Sequence, residues 1–327
     1  MSGAARFILL GGFVLGGAAI VALIAWTGAQ DVANALARGG TALPWLILVH
    51  FGQILACGVA WRASTVGSAT VPGILRFARL RWIREAVELL PVMQIGGIVA
   101  AGRMLALSGV GATVAAASTI VDVTAEVVAQ AVFTVLGLAL LVGRLGDTPV
   151  TNAAAAGAAL VILASIAFVV AQRRGLKPLE RMFDALAQRI GWGEEARLGG
   201  TQEAVRRTHA DAGAMVVAVV AHLVAWSIGA FEVWVVAHAL GFELALIDAL
   251  LIESLLQAVK SCAFLVPSAL GVQEGALVAL FALFGLPPDA ALALSLLKRA
   301  RDLIYGIPGL IAWQFDEGRR LLARGRT

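Results

Sequence analysis

Two hydrophobic segments, each interrupted by proline and glycine, stand at matching places in this chain and limit what it can fold into. The first, residues 81–107, breaks at Pro91-Val92-Met93-Gln94-Ile95-Gly96-Gly97. The second, residues 249–285, breaks at Pro267-Ser268-Ala269-Leu270-Gly271. Each leads into an apolar helix with charges near its middle. A gapless shift of 176 positions lays Pro91 on Pro267, Gly109 on Gly285, Asp122 on Lys298 and Glu126 on Asp302. Broken hydrophobic segments at corresponding places in two halves point to a binding site near the bilayer midplane.

The composition requires a membrane. Of 327 residues, 60% are hydrophobic and only 14% charged, whereas a soluble domain carries about a quarter charged residues. Several runs reach the ~20 apolar residues that cross a hydrocarbon core. The excess of basic residues does not indicate nucleic acid, because those residues cluster in a few loops, as cytoplasmic loops facing anionic lipid do. Cys57 and Cys262 fall in apolar helical sequence and read as small buried residues, not as a disulfide. Arg6 and the apolar run to Ala25 could be a signal peptide with a weak cleavage site at Ala29. The run is longer than a signal core, so it reads as a retained first helix.

Six full spans follow from hydropathy, at roughly 7–27, 43–61, 111–142, 152–171, 213–240 and 288–314. Arginines 62 to 84, the basic residues of 173–207 and the arginines of 319–326 then place both termini and the 172–212 loop in the cytoplasm. Parity fixes the rest. The 81–107 segment starts and ends on the inner side and the 249–285 segment on the outer side, so each enters and returns. Three spans separate them, an odd number, so the second half is inverted. The expected fold is an all-α polytopic membrane protein, about six spans plus two re-entrant helical hairpins in an inverted repeat. It forms one transmembrane domain with halves 1–147 and 148–327. Leu179, Met182, Phe183, Leu186 and Ile190 predict an amphipathic helix in the inner loop.

Charges at membrane depth mark the candidate site, since each ionised group there costs at least ~2.5–3.5 kcal/mol. Asp122 and Glu126, four apart, share one helix face in the third span. Lys298, Arg301 and Asp302 share a face in the sixth, with Arg299 beside them. The simplest arrangement pairs the acidic third span with the basic sixth. It is either a buried staple or a seat for a phosphate on Lys298 or Arg301. Glu253 and Lys260, seven apart, share a face of the second hairpin. Glu274 follows its glycine, where it either caps a helix, seats a headgroup or closes on Lys260. His222, Glu232, His238, His50 and Gln53 read as interhelical hydrogen bonders, because no two histidines have metal-ligand spacing. The Arg76, Arg79, Arg81 and Arg84 run reads as an interfacial anchor. Gly11-Gly12 and Gly16-Gly17 read as close helix packing. No Walker loop, HExxH, GxSxG or CxxC pair occurs, so neither metal nor cofactor is expected.

The stretch Glu88-Leu89-Leu90-Pro91-Val92-Met93-Gln94-Ile95-Gly96-Gly97, with Ser118-Thr119-Ile120-Val121-Asp122-Val123-Thr124, resembles the transmembrane, flippase-like family of lysylphosphatidylglycerol synthases. Phe264-Leu265-Val266-Pro267-Ser268-Ala269-Leu270-Gly271-Val272-Gln273-Glu274-Gly275, with Leu294-Ser295-Leu296-Leu297-Lys298-Arg299, is most similar to its hopanoid-biosynthesis-associated branch. The resemblance implies movement of an anionic, aminoacylated or hopanoid lipid between leaflets of a bacterial cytoplasmic membrane. It implies headgroup contacts at Gln94, Gly97, Gln273 and Glu274 of the hairpins. The family usually carries an acidic residue after the paired glycines, where Ile98 stands here. The soluble aminoacyl-transferase domain of the full synthases is not in this sequence. The competing readings are an accessory membrane protein partnered with lipid-biosynthesis enzymes and, third, a lipid-modifying enzyme using Asp122 and Glu126.

Overall fold

The computed structural model describes residues 18, 20–90, 94–174, 200–263 and 266–324. Among them every regular element is helical. The helices are α1 (Ala29–Gly39), α2 (Leu43–Ala63), α3 (Ile74–Glu88), α4 (Gln94–Ala106), α5 (Ala112–Leu145), α6 (Pro149–Arg174), α7 (Thr201–Ala210), α8 (Ala212–Ala239), α9 (Leu246–Cys262), α10 (Val272–Ala282) and α11 (Pro288–Arg324). Local chemistry sets several starts. Thr148 and Thr151 exchange side-chain and backbone hydrogen bonds ahead of α6, whose first residue is Pro149. Asp211 Oδ1 accepts the Ala214 amide at the start of α8.

Four described helical stretches are long and apolar enough to cross a membrane: Ala29–Ala63, Ala112–Leu145, Pro149–Gln172 and Ala212–Ala239. The first is longer than the expected second span, because α1 runs through a short 3-10 turn into α2. The expected first span and the inner-loop amphipathic helix lie largely outside the described residues, as do the paired glycines of the first helix and Pro91. The expected sixth span lies within α11, a 37-residue helix interrupted by Lys298, Arg299, Arg301 and Asp302.

Neither broken segment is one continuous helix. Helices α3 and α4, of 15 and 13 residues, pack on each other. Helices α9 and α10, of 17 and 11 residues, do likewise. None reaches the ~20 residues a full crossing needs. At the second break, Ser268 and Ala269 hold φ 51° and 46°, a left-handed pair outside the usual range of L-residues.

The chain clusters into two compact units. Unit 1 draws on Met1–Gln53, Val127–Ala167 and Leu223–Arg301. Its core joins α8, α9, α10 and the first part of α11 through Val233, Leu251, Ile252, Leu277, Phe281 and Leu294. Unit 2 draws on Ile54–Glu126, Phe168–His222 and Asp302–Thr327. There Trp61, Phe77, Leu80, Ile83, Met104 and Leu105 join α2, α3 and α4, with Trp61 edge-on to Phe77 at 5.5 Å. Backbones approach closely in unit 2. A Cβ on Gly58 would stand 2.9 Å from the Ala78 nitrogen, and one on Gly97 would stand 2.7 Å from the Arg84 carbonyl oxygen.

Candidate functional site: two buried charge clusters

In unit 2, α3 repeats charge at 81, 84, 85 and 88, which puts two arginines and two glutamates on one face. Arg81 Nε bonds Glu85 at 2.9 Å and Arg84 Nε bonds Glu88 at 2.8 Å. Both guanidiniums then reach α5. Arg81 forks onto Glu126 at 3.0 and 3.3 Å. Arg84 bridges Glu126 at 3.0 Å and Asp122 at 3.2 Å. On α8, His222 Nε2 meets Asp122 Oδ1 at 3.0 Å. Planar guanidinium on carboxylate gives strong, oriented bonds. Asp122 and His222 are fully buried, while the Glu88 and Glu126 side chains keep 25% and 20% of their exposure.

In unit 1, Lys298 on α11 bonds Glu253 of α9 at 2.7 Å and faces Glu232 of α8 at 3.2 Å. Arg301, one turn on, bonds the other oxygen of Glu232. All four are buried. Gly229 makes room beside them: a Cβ there would lie 2.8 Å from Gln53 Nε2 and 3.1 Å from Glu253 Oε1. Gln53 Oε1 accepts from His50 Nδ1 at 2.9 Å, and Gln53 Nε2 donates to the Ala225 carbonyl at 3.2 Å. A second group sits at the start of α10. Glu274 accepts the Gly271 amide at 2.8 Å, the Ser295 hydroxyl at 2.7 Å and Arg299 Nε at 2.7 Å, and Gln273 donates to Ser295 at 2.7 Å.

These contacts correct the expected pairing. Asp122 and Glu126 take their cations from α3 and α8 of unit 2, and Lys298 and Arg301 take their carboxylates from α8 and α9 of unit 1. The reason is proximity: α3 sets guanidiniums directly against α5, a neighbour that helical spacing along one span does not specify. Arg81 and Arg84 are therefore not interfacial anchors but 6% and 5% exposed ion-pair partners. Arg79 pairs with Asp316 at 2.9 Å and Arg76 donates to Ser108. Glu274 does not close on Lys260; it caps α10 and holds Arg299. Lys260 and Asp302 are half-buried, each with contacts of its own. Gly97 is packed against Arg84 and Glu88 of α3, and Gln94 opens α4. Cys57 is buried as expected, but Cys262 is exposed.

His222 and Glu232 hydrogen-bond between helices as their sequence suggested, whereas His238 bonds the Trp234 carbonyl of its own helix. The residues missing from the expected site are Arg81, Arg84, Glu85, Glu88, His222 and Glu232. The i, i+3, i+4, i+7 charge stripe of α3 was the available signal. The donor atoms of Asp122, Glu126 and His222 lie within 4.8 Å of one another. Each carboxylate oxygen is already taken by a guanidinium or the imidazole, which leaves no open ligand set of the kind a metal needs.

Apolar helices of spanning length, carrying ion networks at their middles, define a multi-pass helical membrane protein. The chain belongs to the family described as the lysylphosphatidylglycerol synthase TM region, whose model matches residues 10–309. No curated protein and no solved structure matches the chain.

Proposed function

We propose that this protein moves a lipid between the leaflets of a bacterial cytoplasmic membrane, without enzymatic chemistry. The substrate class is an anionic phospholipid, an aminoacylated lipid or a hopanoid, the last favoured by the resemblance of the 264–275 stretch. Family membership is the observation that carries the reading. The short helix pairs α3–α4 and α9–α10 support re-entrant hairpins. The 176-residue shift carries 54–126 of unit 2 onto 230–302, close to the Leu223–Arg301 stretch of unit 1, which supports a repeat. In this reading Gln94, Gly97, Asp122, Glu126, Glu253, Lys260, Gln273, Glu274, Lys298, Arg301 and Asp302 are the residues that contact the lipid.

The accessory reading has its own support: the buried cations of both clusters are held by carboxylates, as a purely structural staple would hold them. Reconstitution separates the two. Purified protein in liposomes carrying a headgroup- or tail-labelled lipid should speed the appearance of label in the opposite leaflet over protein-free vesicles. Equal rates for phosphatidylglycerol, an aminoacylated lipid and a hopanoid, each no faster than in empty vesicles, would leave the accessory role.

A further inference from the structure

The two clusters differ in how their charge is balanced. In unit 1, Glu232 and Glu253 face Lys298 and Arg301, and Glu274 faces Arg299: permanent cations match carboxylates in number. His50 stands near Glu232 as the titratable neighbour there. In unit 2, two guanidiniums, Arg81 and Arg84, meet Glu88, Asp122 and Glu126. Glu85 also binds Arg81 and has further contacts. With Glu85, four carboxylates touch these two arginines and outnumber them. A group that can offset part of that excess is His222, its Nε2 on Asp122 Oδ1 at 3.0 Å. From α2, the Cys57 thiol stands beside the imidazole and Arg81.

We propose that the His222–Asp122 pair is a proton-binding site, and that its proton offsets part of the carboxylate excess of the unit 2 cluster and helps to hold it together. A ring protonated on both nitrogens adds a third cation to the cluster. Loss of that proton leaves an unbalanced carboxylate in an apolar core, where an uncompensated charge is strongly unfavourable. The neutral ring can still donate Nε2–H to Asp122, but a charge-assisted bond becomes an ordinary, weaker one. Glu88 and Glu126, partly exposed, offer the proton a way in and out, and the dyad forms the closed end of that chain. The idea stands apart from lipid movement, since it concerns what holds α3, α5 and α8 together in one unit. The sign follows from linkage: a group charged in its native contact adds stability below its titration, and that stability is lost as pH rises through it.

The test reads the proton directly. The chain has four histidines. Replacing His50, His209 and His238 by Gln leaves His222 as the sole imidazole in the full-length protein, in nanodiscs with labelled ring carbon. Between about pH 5 and 10 its resonance should move reversibly from the protonated to the neutral position, and Asp122→Asn should displace the midpoint. In parallel, thermal stability of the wild type should fall as pH rises across that step. His222→Lys, which keeps a charge, should flatten the fall. A resonance fixed at the neutral position at every pH where the protein stays folded would overturn the proposal. So would an unchanged pH profile of stability in His222→Lys.

Discussion

At the residue scale, a buried ion is held by its partner and by the space its neighbours leave. Arg301 bonds Glu232, and Lys298 bonds Glu253 at 2.7 Å. Removing one member of a buried pair leaves a naked charge, at a cost of ~3–5 kcal/mol. Arg301→Leu alone should lose about that much, measured by denaturant unfolding in mixed micelles. Glu232→Leu combined with Arg301→Leu should recover most of it, because a balanced Lys298–Glu253 pair remains. Additive losses in the double variant would show that the pair is not coupled. Gly229 makes the complementary point. Gly229→Ala pushes a methyl into Gln53 and Glu253 and should destabilise by ~1–3 kcal/mol. Gly157→Ala on α6 meets nothing within 4 Å, and in a helix interior it should be neutral or add ~0.5–1 kcal/mol. The same unfolding assay compares them.

At the element scale, helix packing delivers the charges. Gly58 lets α2 lie against α3 so closely that a Cβ would meet the Ala78 nitrogen at 2.9 Å and its Cα at 3.1 Å. Backbone cannot swing aside as a side chain can, so α3 itself must shift, and α3 carries Arg81 and Arg84. Gly58→Ala should therefore cost ~1–3 kcal/mol, read as a lower thermal midpoint. Its loss should be sub-additive with that of Glu126→Gln, since both loosen the α3–α5 contact. The turn between α9 and α10 works differently. Its left-handed Ser268 and Ala269 turn the chain, and Glu274 satisfies the Gly271 amide at the start of α10.

At the scale of the whole molecule, the arginine-rich segments predict an orientation: both termini and the 172–212 loop inside, the 147 and 242 turns outside. In a chain with Cys57→Ala and Cys262→Ala, single cysteines at Asp147 and Phe242 should react with an impermeant maleimide added to intact cells. A cysteine at Ile190 should react only after the membrane is opened. Labelling of position 190 from outside would defeat the inverted-repeat assignment.

The sequence by itself determined the solvent, the secondary structure and the breaks. Hydropathy and charge content demanded apolar helices, and proline and glycine interrupted both hairpin segments, because these effects act within a few residues of the chain. It also put Asp122 with Glu126, and Lys298 with Arg301, since helical pitch fixes which residues share a face. Only the tertiary structure decided the partners. Asp122 meets Arg84 and His222, residues 38 and 100 positions away, and Lys298 meets Glu253, 45 away. Which oppositely charged face lies alongside depends on how short helices pack, through glycine contacts such as Gly58 on Ala78 and Gly97 on Arg84. Periodicity along one helix carries no information about that neighbour.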